Sequence, residues 1–254
     1  MDPEGARQAE RLKERWETLA RSPYREFFVA SHAGWRDPAR REAQARQDAA
    51  VLLTAFDDSR LARSRTLEIG CGSGRLARVI APRCAEYVGV DISPTMAAAA
   101  ARACSGLRAR ILVGDGAALP PELNGERFDL VYSVAVFIHV EAPILRSYLE
   151  SVARHLAPDG QFRFQALLDP RDPTGYAAPE GFGGSIDDAP PESSPTVARA
   201  GDLEIAPEAA ALLGDDYMGR RYAVRELREL VAERFPRFAL YRLDPLFGYV
   251  VASL

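Results

Sequence analysis

The chain has 254 residues, 47% of them hydrophobic and 27% charged, with a formal net charge of −4. A chain of this size and composition is expected to form one globular domain that buries a full core without disulfides or metals. The acidic balance argues against nucleic acid as the main partner. The cysteines, Cys71, Cys84 and Cys104, form no C-x-x-C pair. We therefore expect no metal site, reduced cysteines and a cytoplasmic location.

The first 60 residues predict a helical cap. Between residues 5 and 21, an apolar face recurs at i, i+4 and i+7, formed by Leu12, Trp16 and Leu19. A second helix is predicted over residues 39–56. The charged N-terminus has no apolar core typical of a signal peptide, and no run of about 18 apolar residues predicts a membrane span.

From residue 66 onwards, short apolar runs alternate with helical segments. The predicted strands cover residues 66–70, 86–91, 109–113, 128–134 and 161–167. The predicted helices cover residues 74–81, 94–104 and 142–156, and the last of them leaves through a turn at residues 157–160. This alternation is typical of an open, mostly parallel sheet that is covered by helices on both faces.

The region that follows breaks this rhythm. Residues 169–200 are rich in proline, glycine and acidic residues, and we predict a lid or substrate insertion over 169–222 with a short helix near 207–214. A helix at 223–235 and two strands at 237–243 and 246–253 then close the chain. Their spacing predicts an antiparallel hairpin. The whole chain is thus predicted to be one domain, with a cap at 1–60, a core at 61–168, the insertion at 169–222, and a C-terminal part at 223–254 that completes the core.

The stretch TLEIGCGSGRLARVI, residues 66–80, is a candidate ligand-binding loop, and its pattern bears on which kind of ligand it binds. Gly70, Gly72 and Gly74 follow the first strand, where glycines permit positive φ and let backbone N–H groups approach a ligand. A helix beginning there would direct its positive end at that ligand. The dinucleotide fingerprint G-x-G-x-x-G/A needs a small residue where Arg75 stands, and no lysine completes a phosphate loop. A small ligand with a positively charged amino-acid end, facing Glu68, fits better.

Two further acids follow the next strands. Asp91 ends the second strand and is placed to accept the hydroxyl groups of a ribose, whereas Asp115 follows the third strand and is placed to accept the amino group of an adenine. Asp91 could instead cap the next helix, but Ser93 followed by Pro94 is the better cap. Ligands of open α/β sheets bind at the carboxyl ends of the strands, so these acids and the glycines are expected to share one site.

Four motifs carry a resemblance to a known family. E-x-G-C-G-S-G-R at 68–75, V-G-V-D-I-S-P-T-M at 88–96, G-D-G at 114–116 and F-D-L-V-Y-S-V-A-V-F-I-H-V at 128–140 resemble the class I S-adenosylmethionine-dependent methyltransferases. The resemblance covers about residues 64–168, and 223–254 more loosely. It implies a Rossmann-like, doubly wound, seven-stranded and mostly parallel sheet with an antiparallel last strand. The region from Trp16 to Phe28 and F-R-F-Q at 162–165 resemble a set of bacterial methyltransferases.

The resemblance also implies S-adenosyl-L-methionine as the cofactor. The implied cofactor-binding residues are Glu68, Gly70, Cys71, Gly72, Asp91, Ile92, Met96, Asp115, Gly116 and Ser133. Within this set, the glycine loop and Glu68 would hold the methionine part, Ile92 and Met96 would pack on the adenine, and the carbonyl of Ser133 would lie near the ammonium. Met96 as ordinary core and Glu68 as a residue satisfied within the protein are the alternatives.

The expected reaction is methyl transfer to an oxygen or nitrogen of a small-molecule acceptor. His139, after the fourth strand, is the candidate general base, and a purely structural role is the alternative. His32 could face the same cavity, although a packing role is the simpler interpretation. The aromatic residues available to line a pocket or pack the lid are Trp16, Tyr24, Phe27, Phe28, Trp35, Tyr176, Phe182, Tyr217 and Tyr222.

Other functions remain open at this stage. An RNA or protein methyltransferase, a nicotinamide-dependent oxidoreductase, and a protein that binds S-adenosylmethionine without catalysis share parts of the same pattern. The sequence predicts no membrane partner and leaves the oligomeric state undetermined.

Overall fold

The computed structural model describes residues 3–30, 35–172, 220–242 and 247–254. His32, Tyr176, Phe182 and Tyr217, the short helix predicted near 207–214, and most of the predicted insertion lie outside the described residues.

Four helices form the N-terminal cap. They are α1 (Pro3–Arg21), α2 (Arg25–Ala30), α3 (Pro38–Leu52) and α4 (Asp58–Arg63). Leu12 and Leu19 of α1 are buried, as expected for its apolar face. The predicted helix over 39–56 corresponds to α3, which ends at Leu52. Asp57 then caps the additional helix α4 by accepting a hydrogen bond from the Ser59 N–H at 3.0 Å.

Eight strands and four further helices form the rest of the described chain. The strands are β1 (Arg65–Ile69), β2 (Glu86–Asp91), β3 (Ala109–Val113), β4 (Phe128–Ser133), β5 (Leu156–Leu168), β6 (Arg221–Tyr222), β7 (Arg237–Arg242) and β8 (Phe247–Ser253). The helices are α5 (Ala77–Ile80), α6 (Pro94–Ala103), α7 (Ala142–His155) and α8 (Val224–Ala232).

The strands form one sheet in the order β3-β2-β1-β4-β5-β8-β7, and the two-residue β6 pairs with the end of β5. β8 runs antiparallel to both of its neighbours, β5 and β7, and the other strand pairs in the described part of the sheet are parallel. The doubly wound sheet and its C-terminal hairpin are therefore confirmed, and β6 brings the seven expected strands to eight. The chain progresses outward from β1 to β3 and then returns to β4, so the sheet has its switch point between β1 and β4.

Apolar residues cover both faces of the sheet, as parallel strands require. On β1, Leu67 and Ile69 face the cluster that contains α7 and α8, whereas Tyr87 of β2 and Tyr132 of β4 face the cluster that contains residues of α3, α4 and α5. In the described part of the chain, no helix combines the length and the apolar character needed to cross a bilayer.

Two local predictions differ from the structure. The helix expected over 74–81 is reduced to α5 and a following 3₁₀ turn, because Gly74 at its start has a φ of +84°, outside the α-helical region. Residues 157–160 were expected to form a turn but lie within β5, where the register with β4 shifts. A Cβ on Gly160 would lie 2.8 Å from the Phe128 carbonyl oxygen, so this irregularity depends on a glycine.

Candidate active site

The glycine loop after β1 is folded tightly against two neighbouring segments. The N–H groups of Gly70 and Cys71 both donate to the Val90 carbonyl, at 2.7 and 3.1 Å. Gly70 has a φ of +76°, and a Cβ built on it would lie 2.1 Å from Cγ2 of Val136 in the loop after β4. Only glycine satisfies both the backbone conformation and this contact, so the loops after β1 and β4 meet at Gly70.

Asp91, at the end of β2, joins the glycine loop to the start of α6. One carboxylate oxygen accepts the Gly72 N–H at 2.7 Å, and the other accepts the Ser93 N–H at 2.9 Å. Ser93 caps α6 through the Met96 N–H, as expected from the sequence. Burial raises the pKa of Asp91 to about 6, although the two backbone hydrogen bonds act in the opposite direction. The carboxylate has lone pairs to spare for a ligand.

Glu68 is buried on β1, between the neighbouring strands β2 and β4. One of its oxygens accepts hydrogen bonds from the hydroxyl of Tyr87 at 2.5 Å and from the hydroxyl of Tyr132 at 3.1 Å. Burial raises the pKa of Glu68 to about 7 despite these hydrogen bonds. The two tyrosines therefore hold a carboxyl group that changes its charge near neutral pH.

A cavity lies at the switch point of the sheet, and about 620 Å³ of space, part of it open to solvent, lies between its walls. Its lining comprises Trp16, Phe28, Val29, Glu68, Gly70, Cys71, Gly72, Arg75, Leu76, Asp91, Ile92, Met96, Val134, Ala135 and Val136. Most of the predicted cofactor residues lie here, including both buried carboxyl groups. Burial raises the pKa of the Cys71 thiol in this lining well above its ordinary value.

Three predicted cofactor residues lie outside this lining. Asp115 is exposed, and its Oδ1 accepts the N–H groups of Ala117 at 2.8 Å and Ala118 at 3.2 Å. Gly116 packs against Ile92, since a Cβ built on it would lie 2.3 Å from Ile92 Cδ1. Ser133 is buried.

The hydroxyl of Ser133 donates to the Ile69 carbonyl at 3.0 Å and so ties β4 to β1. The loop that follows Ser133 contributes residues 134–136 to the cavity in its place. The backbone N–H of Ala135, which has a φ of +59°, donates to Gln165 Oε1 at 3.0 Å. The last residue of the F-R-F-Q stretch therefore holds this loop in position.

His139 is buried in a 3₁₀ turn, Phe137–His139, directly after that loop. Its ring meets Trp16 of α1 edge to face, with the ring centroids 5.0 Å apart. Trp16 lines the cavity, whereas His139 is not among the lining residues. His155 is also buried, and its Nδ1 lies 2.8 Å from the Ser151 carbonyl oxygen.

Several lining residues were not assigned to the site from the sequence. Val29, Arg75, Leu76 and the loop residues 134–136 are brought together only by tertiary packing. The sequence did mark Arg75 as unusual, since it occupies the position at which the dinucleotide fingerprint has a small residue. Among the described residues, no group of three or more His, Cys, Asp and Glu side chains is arranged to hold a metal ion.

Residues 66–160 match the model of a family described as a methyltransferase domain. The cyclopropane-fatty-acyl-phospholipid synthase of Escherichia coli is 32% identical over 142 residues, which cover 56% of this chain and 35% of that protein. An uncharacterized methyltransferase of Schizosaccharomyces pombe is 33% identical over 101 residues, 38% of this chain and 37% of that protein. The chain thus spans little more than a third of the curated relatives that it matches.

Solved structures share the fold. A Pyrococcus horikoshii OT3 protein is 17% identical with a TM-score of 0.60, over 93% of this chain and 98% of that one. The magnesium protoporphyrin IX methyltransferase of Synechocystis PCC 6803, solved with bound S-adenosylhomocysteine, is 16% identical with a TM-score of 0.52, over 95% and 94%.

The fold and the cavity together define a Rossmann-like protein whose candidate ligand site lies at the switch point of its sheet. The sequence matches indicate which kind of Rossmann-like protein this is. The match of residues 66–160 supports class I S-adenosylmethionine-dependent methyltransferases as the relatives of this part of the chain, and S-adenosyl-L-methionine as its cofactor.

Proposed function

We propose that this protein transfers a methyl group to an oxygen or nitrogen atom of a small-molecule acceptor. The observation that carries the proposal is the cavity at the switch point, in which the glycine loop, the carboxyl groups of Glu68 and Asp91, and an apolar wall formed by Ile92 and Met96 converge. Two carboxyl groups that accept hydrogen bonds, beside an apolar wall, fit a ligand that has an ammonium group, two ribose hydroxyls and a flat base.

Each of these residues has a distinct task in the proposal. Glu68 binds the ammonium group of the cofactor, and Asp91 accepts hydrogen bonds from the ribose hydroxyls through its remaining lone pairs. Ile92 and Met96 pack on the adenine. Gly70, Cys71 and Gly72 allow the methionine part to approach the backbone. Asp115, Gly116 and Ser133 are proposed as supports of the same site, because each fixes a turn or strand end beside it.

The cofactor, when bound, supplies a methyl group that is already strongly electrophilic. The protein therefore has to position the acceptor and keep water away, and positioning alone can lower a barrier by roughly 7–11 kcal/mol in favourable cases. Trp16 of α1 together with Phe28 and Val29 of α2 covers the cavity from the N-terminal side. An oxygen acceptor or a protonated amine also has to lose a proton. His139, one ring away from the cavity, is proposed as the group that accepts it.

The acceptor is proposed from charge and architecture. The relatives act on substrates as different as phospholipids and a porphyrin, and the phospholipid synthase matches over only 35% of its length, so we do not transfer its substrate to this chain. A net charge of −4 favours a small molecule over RNA. We propose that the N-terminal cap and the segment 169–222 select the acceptor.

Calorimetric titration with S-adenosylhomocysteine tests cofactor binding. We expect wild type to bind it and Asp91→Ala to bind at least tenfold more weakly. The matched control is Asp58→Ala, which removes a carboxyl group that is 83% exposed and should leave the affinity unchanged. Binding of NADH in place of S-adenosylhomocysteine would contradict the proposal and favour an oxidoreductase.

A radiolabelled-methyl assay on fractionated extract of the native host tests the reaction itself. We expect label in a fraction of small molecules, and identification of that product gives the acceptor. Label that appears only in RNA or protein would contradict the small-molecule part of the proposal. Tight cofactor binding with no labelled product in any fraction would indicate a non-catalytic binding protein.

A further inference from the structure

Arg75 lines the cavity but has no task in the function proposed above. It directly follows the glycine loop, and its side chain is only 8% exposed. A buried guanidinium group is costly unless its charge is balanced and its N–H groups are bonded. Its presence beside a small-ligand cavity therefore needs a reason.

The charges that line the cavity are complementary to a zwitterion. Among the described lining residues, Glu68 and Asp91 are the acids and Arg75 is the only base. If Glu68 binds the ammonium group and Asp91 the ribose, the carboxylate of the cofactor has no other cationic side chain in this lining as a partner. A carboxylate taken from water into the cavity without such a partner would be bound poorly.

The hydrogen bonding of Arg75 leaves capacity for such a carboxylate. Nη1 of Arg75 donates to Oδ2 of Asp48 on α3. A guanidinium group has five N–H donors, and in the described part of the chain Arg75 makes no other hydrogen bond. Arginine also presents its donors as a planar fork that matches two carboxylate oxygens. Asp48 thus binds Nη1 of the guanidinium group and leaves its other N–H donors available for a ligand.

We propose that Arg75 binds the α-carboxylate of the cofactor and makes the site selective for ligands that carry this group. Asp48 orients the guanidinium. The inference depends on the proposed function, because it assumes that S-adenosylmethionine occupies this cavity. It adds a determinant of specificity. The decarboxylated cofactor keeps its ammonium, sulfonium and adenosyl groups but has no carboxylate for Arg75 to bind, so it should bind more weakly than the intact cofactor.

The test is a set of calorimetric titrations with three probes: S-adenosylhomocysteine, its decarboxylated analogue, and 5′-methylthioadenosine, which has neither amino nor carboxyl group. Arg75→Met should weaken S-adenosylhomocysteine binding on the order of ten- to a hundredfold, as for loss of a charge-assisted hydrogen bond. It should leave the affinities for the other two probes within about twofold. Arg75→Lys, which keeps the cation but loses the fork, should fall between wild type and Arg75→Met.

Asp48→Asn is the matched control for a structural role. It breaks the ion pair and leaves the cation, so the preference for S-adenosylhomocysteine over its decarboxylated analogue should remain. Equal losses for all three probes in Arg75→Met, or an unchanged affinity for S-adenosylhomocysteine, would overturn the inference. If wild type binds none of the probes, the proposed function itself fails, and this result is distinct from a wild type that binds them while Arg75→Met shows no selectivity change.

Discussion

Glu17 of α1 accepts a hydrogen bond from the hydroxyl of Ser93 at 2.6 Å, although the two residues are 76 positions apart. The same carboxylate accepts the hydroxyl of Thr95 at 2.7 Å and its N–H at 3.2 Å. Since the Ser93 N–H also binds Asp91, Glu17 fastens the N-terminal helix to the turn that carries the proposed ribose acceptor. The N-terminal cap therefore helps to position the residues of the candidate site.

Glu17→Gln should loosen this attachment. Burial raises the pKa of Glu17, but the hydrogen bonds from Ser93, Thr95 and Arg21 outweigh burial and lower it to about 2. Because the folded-state pKa lies below the ordinary value of 4.5, the carboxylate stabilises the fold above pH 4.5, and this stabilisation is lost as the pH falls toward 2. At pH 7 we expect a loss of about 1–2 kcal/mol in the free energy of unfolding, measured by urea denaturation.

Glu14→Gln is the matched control, since it makes the same change on the exposed side of α1. Its unfolding free energy at pH 7 should equal that of wild type within about 0.5 kcal/mol. If the two glutamine variants are equally stable at pH 7, or if the deficit of Glu17→Gln persists unchanged at pH 2, the attachment contributes nothing and the interpretation is wrong.

The affinity for S-adenosylhomocysteine should rise with pH between 5 and 8. Burial raises the pKa of Asp91 to about 6 and that of Glu68 to about 7. Both groups bind the ligand in their ionised forms under the proposed roles, so loss of their protons strengthens binding. Glu68→Gln should remove the upper step of the profile. 5′-Methylthioadenosine has no ammonium group for Glu68 to bind and should show the lower step only; a flat profile for S-adenosylhomocysteine over this range would contradict the assigned roles.

The alternation of strands and helices, and the edge of the sheet at which the candidate site lies, could be predicted because both depend on local patterns. The apolar runs end at Ile69 and Asp91, and the carboxyl ends of parallel strands necessarily meet at one edge. The contacts of the cap could not be predicted, since the periodicity of α1 shows which face is buried but not what it packs against. Glu17 and Ser93 are joined by tertiary packing alone. The shortening of α5 depends on φ angles that the sequence permits at Gly72 and Gly74 without requiring them.

His139→Ala tests the proposed proton acceptor. Because His139 packs against Trp16 and is not among the residues that line the cavity, affinity for S-adenosylhomocysteine should change by no more than about threefold. Loss of a general base typically lowers the rate by 10²–10⁴-fold, and we expect a fall of that order in single-turnover methyl transfer to an identified acceptor. Trp16→Phe, which keeps an aromatic ring beside the imidazole, is the control for packing. Turnover that survives in His139→Ala would leave this histidine with a structural role only.

Gly70→Ala and Gly106→Ala distinguish the two reasons why residue 70 has to be glycine: its positive φ and its contact with Val136. Both residues have positive φ, +76° and +83°, but a Cβ on Gly106 meets no atom within 4 Å, whereas one on Gly70 overlaps Val136. Gly106→Ala should therefore cost only the backbone strain, about 1–2 kcal/mol. Gly70→Ala should cost roughly 1–3 kcal/mol more, because the loop after β4 has to move. It should also weaken S-adenosylhomocysteine binding, while Gly106→Ala should not. Urea denaturation and calorimetry measure both effects, and equal stabilities would mean that the contact between Gly70 and Val136 does not constrain the site.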